Sequence, residues 1–228
     1  FVKILERYGA DVTQVTAPPG NTPALDAVEG QLKKGGFKLM TLTHVDTSTA
    51  VLTNVEELAA LARQHNTLTI VDGVCSVAGE KLYMTDWGVD LVLTASQKAI
   101  GVPPGLALIM VRPPALDAMR SRKTPVLNYY ADWNNWLPIM ESYEARKPAY
   151  FATPAVNLIM GLRMSLEQIL REGLDQRFDR HRAISRACKA GLGALGLTQV
   201  PVTDDIAAHT ISAPRYPAEV NGNEMLER

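Results

Sequence analysis

The sequence predicts an α/β fold, a mostly parallel sheet flanked by helices, with the start of a small α/β C-terminal domain. Three observations predict it. Short apolar runs rich in β-branched residues recur without alternation, as in strands buried on both faces. Segments with helical spacing stand between them, and strands alternating with helices argue for parallel pairing with right-handed crossovers. Apolar residues make up 46% of the 228-residue chain and charged residues 21%, enough for a packed core.

The elements follow in order. Residues 1–8 read as a helix closed by Gly9, and residues 12–15 as a short strand. Pro18-Pro19-Gly20-Asn21 has turn chemistry. Leu25, Val28 and Leu32 keep helical spacing up to Gly35-Gly36. Residues 37–42 form a strand. Asn54 caps the next helix, with Glu57 in the capping-box position and Val55, Leu58, Ala59, Leu61 and Ala62 on one stripe. Residues 68–71, 91–93 and 106–111 are the remaining strands of the sheet.

After Arg112-Pro113-Pro114 the character changes. Residues 128–137 carry Tyr129, Tyr130, Trp133 and Trp136 and read as a long loop or short helix over a site. Thr153-Pro154 reads as a helix start, with Thr153 as cap and Pro154 at the first helical position. That helix runs to Glu172 and breaks at Gly173, and a second runs to about Lys189. Residues 191–202 and 210–212 turn toward strands. Residues 1–150 are taken as a large domain, and residues 151–228 as a connecting helix with the beginning of a smaller one. The chain opens on Phe1 inside an amphipathic pattern and stops at Asn223-Glu224-Met225-Leu226-Glu227-Arg228, which reads as a helix just starting. A piece of a longer protein is expected.

Charge and cysteine content narrow the function classes. With 23 basic and 24 acidic residues the formal net charge is −1, so no basic excess points to nucleic acid or an anionic membrane surface. No apolar run approaches the ~20 residues that span a bilayer. Two cysteines, Cys75 and Cys188, make neither a disulfide framework nor a zinc spacing, and fit a reducing, intracellular compartment. Neither a Walker loop nor a complete G-x-G-x-x-G occurs, which counts against a plain nucleotide-binding domain.

The chemistry-bearing residues lie at the ends of the predicted strands. Ser96-Gln97-Lys98 follows one run, and Asp72 closes another. Ligands of open α/β sheets bind outside the carboxyl ends of the strands. A lysine amine held there against apolar walls becomes nucleophilic and can form a Schiff base. A neighbouring acid can hold a pyridine nitrogen. The pair suggests pyridoxal phosphate, with Ser96 and Gln97 offering donors to an anion. Spacing alone leaves a solvated loop lysine and a turn-capping aspartate equally open. Asp86 and Asp90 read as ordinary loop acids, and Cys75 as a small apolar filler. His44, Asp46 and Ser48 hint at a hydrolase, but no G-x-S-x-G elbow accompanies them. Arg146, Tyr150 and Thr153 precede a helix N-terminus, where N–H groups favour an anion.

Three runs resemble a known family: His44-Val45-Asp46-Thr47-Ser48-Thr49-Ala50-Val51-Leu52, Ile70-Val71-Asp72-Gly73-Val74 and Ser96-Gln97-Lys98-Ala99-Ile100-Gly101-Val102-Pro103-Pro104-Gly105. They resemble the class V aminotransferases of the pyridoxal-phosphate fold type I, closest to the alanine–glyoxylate and serine–pyruvate group. Ser121-Arg122-Lys123-Thr124 and Tyr150-Phe151-Ala152-Thr153 extend the match over nearly the whole chain.

The resemblance implies transfer of the amino group of alanine or serine to glyoxylate or a related 2-oxo acid. It implies that Lys98 carries the cofactor and moves the substrate's proton, and that Asp72 binds the pyridine nitrogen. Val74 would pack on a ring face, Ser48 would meet the phenolic oxygen, and Gln97 would help hold the phosphate. Tyr150 and Thr153 would reach the phosphate of a neighbouring subunit, making the site a homodimer property. Peroxisome, mitochondrion and cytosol all fit the family. Ala50 stands where the family usually has glycine, and Gln97 where related cysteine desulfurases usually have histidine. The family's phosphate turn and ring-stacking aromatic are expected before Phe1, and its substrate-carboxylate arginine after Arg228. By itself the chain is then expected to bind cofactor poorly. A non-catalytic form that dimerises with a full-length partner, or another class V enzyme, are the alternatives.

Overall fold

Val71 and Val92 lie wholly buried at the centre of a four-stranded sheet. The computed structural model describes residues 1–220. Its strands β1 (Leu39–Thr43), β2 (Leu68–Asp72), β3 (Leu91–Ala95) and β4 (Ala107–Val111) stand in sequence order across the sheet. β1 pairs β2 in parallel from Leu39↔Leu68 to Thr43↔Asp72, and β2 pairs β3 in parallel from Ile70↔Leu91 to Asp72↔Leu93. β4 runs antiparallel to β3, from Leu91↔Val111 to Ala95↔Ala107. The alternation of strands and helices predicted parallel pairing here as well. A parallel neighbour needs a crossover of a dozen or more residues, usually a helix. The link over residues 96–106 contains none, and Pro103, Pro104 and Gly105 (φ +137°) bend the chain straight back.

Eight α-helices accompany the strands among the described residues: α1 (Val2–Arg7), α2 (Leu25–Leu32), α3 (Val55–Gln64), α4 (Met84–Trp87), α5 (Pro113–Arg120), α6 (Trp133–Glu144), α7 (Val156–Glu172) and α8 (Leu174–Ala194), with one turn of 3-10 helix at Asp204–Ile206. Asn54 caps α3 as predicted, its side chain accepting from the Glu57 N–H at 3.2 Å. The predicted stripe of α3 is its buried face. It contributes to two clusters. Leu58 and Leu61 meet Val28 and Leu32 of α2, with Val15, Phe37 and Met40 at the margin. Val55 and Ala59 meet Val71, Val89 and Val92 on the sheet. None of the described helices is long and apolar enough to cross a membrane.

Several boundaries differ from the sequence reading. Residues 12–15 form no strand, because β1 hydrogen-bonds only to β2. Their Val15 packs on the core without joining a ladder. The strand predicted over 37–42 starts at Leu39 and ends at Thr43. Helix α6 begins at Trp133, where Asp132 accepts from the Asn134 N–H at 3.0 Å. Helix α7 begins at Val156 with Ala155 as cap, two residues late. The Thr153 hydroxyl is engaged by the Tyr150 hydroxyl instead, and the Pro154 carbonyl accepts from the Val156 N–H at 2.9 Å. Helix α8 continues through Gly191 and Gly193 to Ala194. Residues 191–202 and 210–212 form no strand. They meet in one isolated bridge, Gln199↔Pro214, whose two bonds run from the Val200 N–H to the Ala213 carbonyl at 2.8 Å and from the Arg215 N–H to the Thr198 carbonyl at 2.7 Å, too short a pairing to make strands. The helix start expected over residues 223–228 lies outside the described residues. Residues 206–208 bridge to residues 50–52 in the loop after β1. The Leu52 N–H donates to the Ile206 carbonyl at 2.8 Å and the Ala208 N–H to the Ala50 carbonyl at 2.9 Å.

Candidate active site

Asp72 is the last residue of β2, and Lys98 stands three residues beyond the end of β3. The two strands are parallel neighbours, so both side chains are delivered to one edge of the sheet. The edge is tied past the last ladder bond. The Gly73 N–H donates to the Leu93 carbonyl at 2.8 Å, and the Thr94 hydroxyl to the Gly73 carbonyl at 3.1 Å. One oxygen of Asp72 accepts from the Val74 N–H at 2.9 Å, an Asx-type turn. Its other oxygen has no protein partner among the described residues. Turn cap and ligand-binding acid are therefore compatible readings of the same carboxylate.

Lys98 is exposed, and its amine has no hydrogen bond or ion pair among the described residues. The apolar walls that the sequence reading placed around it are absent. What fixes it is the backbone beneath. Ser96 is fully buried, and its hydroxyl donates to the Pro103 carbonyl at 2.7 Å while accepting from the Leu106 N–H at 3.3 Å. The Gly101 N–H closes on the Lys98 carbonyl at 2.9 Å, with Gly101 at φ +79°. Ser96 thus staples the turn shut and is not free to bind an anion, contrary to the sequence reading. Gln97 is exposed with its amide unengaged.

The loop after β1 supplies the third wall. Asp46 accepts from the Ser48 N–H at 3.0 Å and from the Thr49 hydroxyl at 2.7 Å. Burial draws the Asp46 carboxyl upward, but these hydrogen bonds outweigh it and hold it below the usual range. The Ser48 hydroxyl is left exposed. Thr47 shares a hydrogen bond with the Cys75 thiol at 2.9 Å, tying this loop to the one after Asp72. Ala50 sits at φ +59° and 1% exposure, a left-handed backbone that explains a family preference for glycine. Val74 is half-buried against Val45, Cys75 and Ala208. Tyr150 and Thr153 share a hydrogen bond at 2.8 Å, both exposed, and no hydrogen bond links either to Lys98 or Asp72.

His44 belongs to different chemistry. It is buried edge-on to Trp87, with ring centroids 6.2 Å apart, and its Nδ1 has no partner. Burial pushes it down to about 4, against the pull of the Glu80 charge. It borders a cavity of about 370 Å³ beside Glu80, Phe178, Arg182 and His209. Glu80 accepts from the His209 backbone N–H and meets the His209 ring at 3.0 Å. Burial raises the Glu80 carboxyl, and the His209 hydrogen bonds more than offset it, leaving it below its usual range. A hydrolytic His44–Asp46–Ser48 set is not assembled, because Asp46 is committed to its own turn and His44 to the interior. Glu80 and His209 escaped the sequence reading. Their 129-residue separation leaves no local signal.

The free groups at the sheet edge fit pyridoxal phosphate. An unengaged carboxylate oxygen on Asp72 suits a protonated ring nitrogen, and the Lys98 amine suits an aldehyde carbon. A hydroxyl on Ser48 and an amide on Gln97 suit a phenolic oxygen and a phosphate. Val74 offers an apolar side to a ring. Among the described residues no neighbouring side chain engages the free oxygen of Asp72, the Lys98 amine or the Gln97 amide, while the exposed Ser48 hydroxyl lies beside the Asp46 carboxylate; the availability of the first three is what the fit rests on.

Comparison with known proteins gives the family. The chain is 40% identical over 220 residues to alanine–glyoxylate aminotransferase 1 of Saccharomyces cerevisiae, covering 93% of this chain and 57% of that protein. It is 34% identical over 231 residues to L-aspartate–glyoxylate aminotransferase of Paracoccus denitrificans, covering 99% and 57%. The crystal structure of an alanine–glyoxylate aminotransferase from Nostoc sp. superposes with a TM-score of 0.92 at 30% identity, covering 100% of this chain and 59% of that one. The chain thus spans little more than half the length of these relatives. Residues 1–219 match the family described as aminotransferase class-V, and with that match and the 40% relative the chain belongs to the class-V aminotransferases, on their type I fold.

Proposed function

We propose that the protein is a pyridoxal-phosphate-dependent aminotransferase that moves the amino group of alanine or serine to glyoxylate or a related 2-oxo acid, and that it works as a homodimer inside the cell. The observation that carries this reading is the delivery of a free acid, Asp72, and a free amine, Lys98, to one edge of the sheet. The names of the relatives support the acceptor, since both curated relatives above are glyoxylate aminotransferases. They differ in donor, alanine in one and aspartate in the other.

When bound, the cofactor supplies an electron-withdrawing ring that stabilises negative charge at the substrate's Cα. The chain's residues do the rest. Asp72 keeps the ring nitrogen protonated through a charge-assisted hydrogen bond. Lys98 holds the cofactor in the resting protein, and its amine carries the proton to and from Cα. Ser48 and Gln97 orient the phenolic oxygen and the phosphate, and Val74 bounds one ring face. Tyr150 and Thr153 serve the phosphate site of the neighbouring subunit. Residues 1–150 form the cofactor domain, and 151–228 the connecting helix and the start of the smaller domain.

The surface supports a partner copy. Tyr129, Tyr130, Leu127 and Tyr150 are all more than half exposed.

The test is glycine formation from glyoxylate with alanine, serine and aspartate offered in turn. Parallel lines in double-reciprocal plots are expected, as for a carrier-mediated exchange. Intersecting lines, or no glycine from any donor, would overturn the proposal. Turnover fastest with aspartate would reassign the donor.

A further inference from the structure

Helix α8 turns a polar row toward the site loops. Arg177, His181, Ser185 and Lys189 recur every fourth residue, which places them on one face of a helix. Ser185 is buried, and the Arg177 side chain is 13% exposed. The row meets irregular backbone, whose carbonyls have no ladder partner and must be satisfied otherwise. Lys189 donates to the Ala207 and Ala208 carbonyls at 3.3 and 2.7 Å.

Arg177 makes the contacts that matter for the site. Its Nε donates to the Ala78 carbonyl at 2.7 Å, and its Nη2 to the Ala99 carbonyl at 2.5 Å. Its Nη1 is held by Glu172 at 2.9 Å, and Glu172 is braced in turn by Arg180. Ala78, at φ +69°, lies in the turn that follows Asp72 and Val74. Ala99 directly follows Lys98. One planar guanidinium therefore bridges the segment that carries the acid and the segment that carries the amine. A fork with several fixed donors holds both carbonyls and the Glu172 carboxylate at once from a single side chain.

The same turns also touch directly, since a Cβ built on Gly79 would stand 3.1 Å from the Ala99 Cβ, but that contact is non-directional. Behind the lysine turn lies a cavity of about 330 Å³, lined by Ala99, Ile100, Gly101, Met164 and Arg177. On this side the turn is held by Arg177 and by one other side chain, Ser165, which donates to the Ile100 carbonyl.

We propose that Arg177 is a positioning residue that sets the separation of Asp72 from Lys98 by gripping both of their loops. The inference rests on the cofactor reading above for its consequence, though not for its geometry. The experiment compares the wild-type protein with Arg177→Ala and Arg177→Lys. A core variant far from the site, Val28→Ala, serves as a stability control. Amide hydrogen exchange without cofactor is read at Gly79 and Glu80, which bond to Ser76, and at Gly101 and Val102, which bond to Lys98 and Ser96. Pyridoxal phosphate is then titrated, trapped with borohydride and located by mass spectrometry.

Arg177→Ala is expected to exchange at least tenfold faster at those four amides, with strands β2 and β3 unchanged. It should need at least tenfold more pyridoxal phosphate to label Lys98. Arg177→Lys should restore protection only in part, since an ammonium lacks the planar fork that fixes both carbonyls at once. Val28→Ala should lose thermal stability yet label Lys98 within twofold of wild type. Wild-type exchange in the Arg177 variants, a uniform rise over the whole sheet, or unchanged labelling would overturn the proposal. Should Arg177→Ala fail to fold, the lysine variant carries the same comparison. If wild type itself takes no adduct at Lys98, the cofactor reading fails, and the exchange measurement still decides whether the clamp exists.

Discussion

Asp90 grips Thr69 from both directions. One carboxylate oxygen of Asp90 accepts from the Thr69 N–H at 2.9 Å and lies 3.3 Å from its hydroxyl, which in turn accepts from the Asp90 N–H at 3.1 Å. Both residues are buried. The pair sits where β2 and β3 begin to run together, one residue before Ile70↔Leu91. It locks the register that later delivers Asp72 and Lys98 to the same edge. Asp90 is therefore no ordinary loop acid, as its position beside a strand had suggested.

Replacing Asp90 by alanine strands the buried Thr69 N–H. The expected loss is about 2 kcal/mol, the desolvation cost of an unsatisfied donor. Asparagine, which still offers an acceptor, should cost less. Urea unfolding of both variants checks this; an alanine variant within about 0.5 kcal/mol of wild type would be indistinguishable from a surface substitution and would contradict it.

His44 gives the fold an acid limb. Its pKa falls from 6.5 to about 4 on folding. A depressed histidine stabilises the fold fully above 6.5, and the contribution drains away as pH drops from 6.5 toward 4. Between pH 7 and pH 5 the expected loss is about 2 kcal/mol. Glu80, also depressed, loses its contribution only below its unfolded value of 4.5, outside that window. Denaturant midpoints at pH 7 and 5 should therefore differ in wild type, and the difference should shrink in His44→Asn to what His181, depressed by burial and by Arg177 and Arg180, still contributes.

Lys98 and Asp72 separate activity from stability. Lys98→Ala removes an exposed side chain without partners, so stability should stay within about 0.5 kcal/mol. Turnover and the borohydride adduct should vanish. Asp72→Asn keeps an oxygen for the Val74 N–H but loses the charge facing the ring nitrogen. Turnover should fall about 100-fold, the scale of one lost electrostatic contact. Steady-state rates and thermal melts on the same preparations decide; an asparagine variant with wild-type turnover would remove Asp72 from its role.

Gly20 joins two distant segments. A methyl group there would come within 2.1 Å of the Val200 carbonyl oxygen, and φ is +93°. The Val202 N–H also donates to the Gly20 carbonyl at 3.0 Å. Gly20→Ala should cost at least ~2 kcal/mol, from backbone strain together with the clash. Limited proteolysis should then cut first within residues 198–215. Unchanged resistance there would show that the segment is held by other contacts.

Much of the frame could be read from local pattern. The unalternating runs located β2 and β3, and Asn54 with Glu57 located the start of α3. Asp72 and Lys98 were legible because they end or follow such runs, where the fold places its ligands. The parts that escaped depend on partners remote in sequence. Asp90 needs Thr69 at a distance of 21 residues, and Glu80 needs His209 at 129. The direction of β4 turned on a missing crossover, and Thr153 failed as a cap because Tyr150 claimed its hydroxyl. Arg177, His181 and Lys189 look like a solvated helix face until the loops they satisfy are known.

The reach of Arg177 also sets an order of events during biosynthesis. Its two acceptors precede it by 99 and 78 residues. Chains emerge from the ribosome N-terminus first, so strands β1 to β4 can pair while α8 is still being translated. At that stage the acid and the amine ride on two turns joined near the strand ends by Gly73 and Thr94 but not yet by the guanidinium farther out. A nascent chain can thus own the complete sheet and both reactive side chains without yet being able to hold them in register. A stop codon anywhere in α7 would freeze the protein in that state.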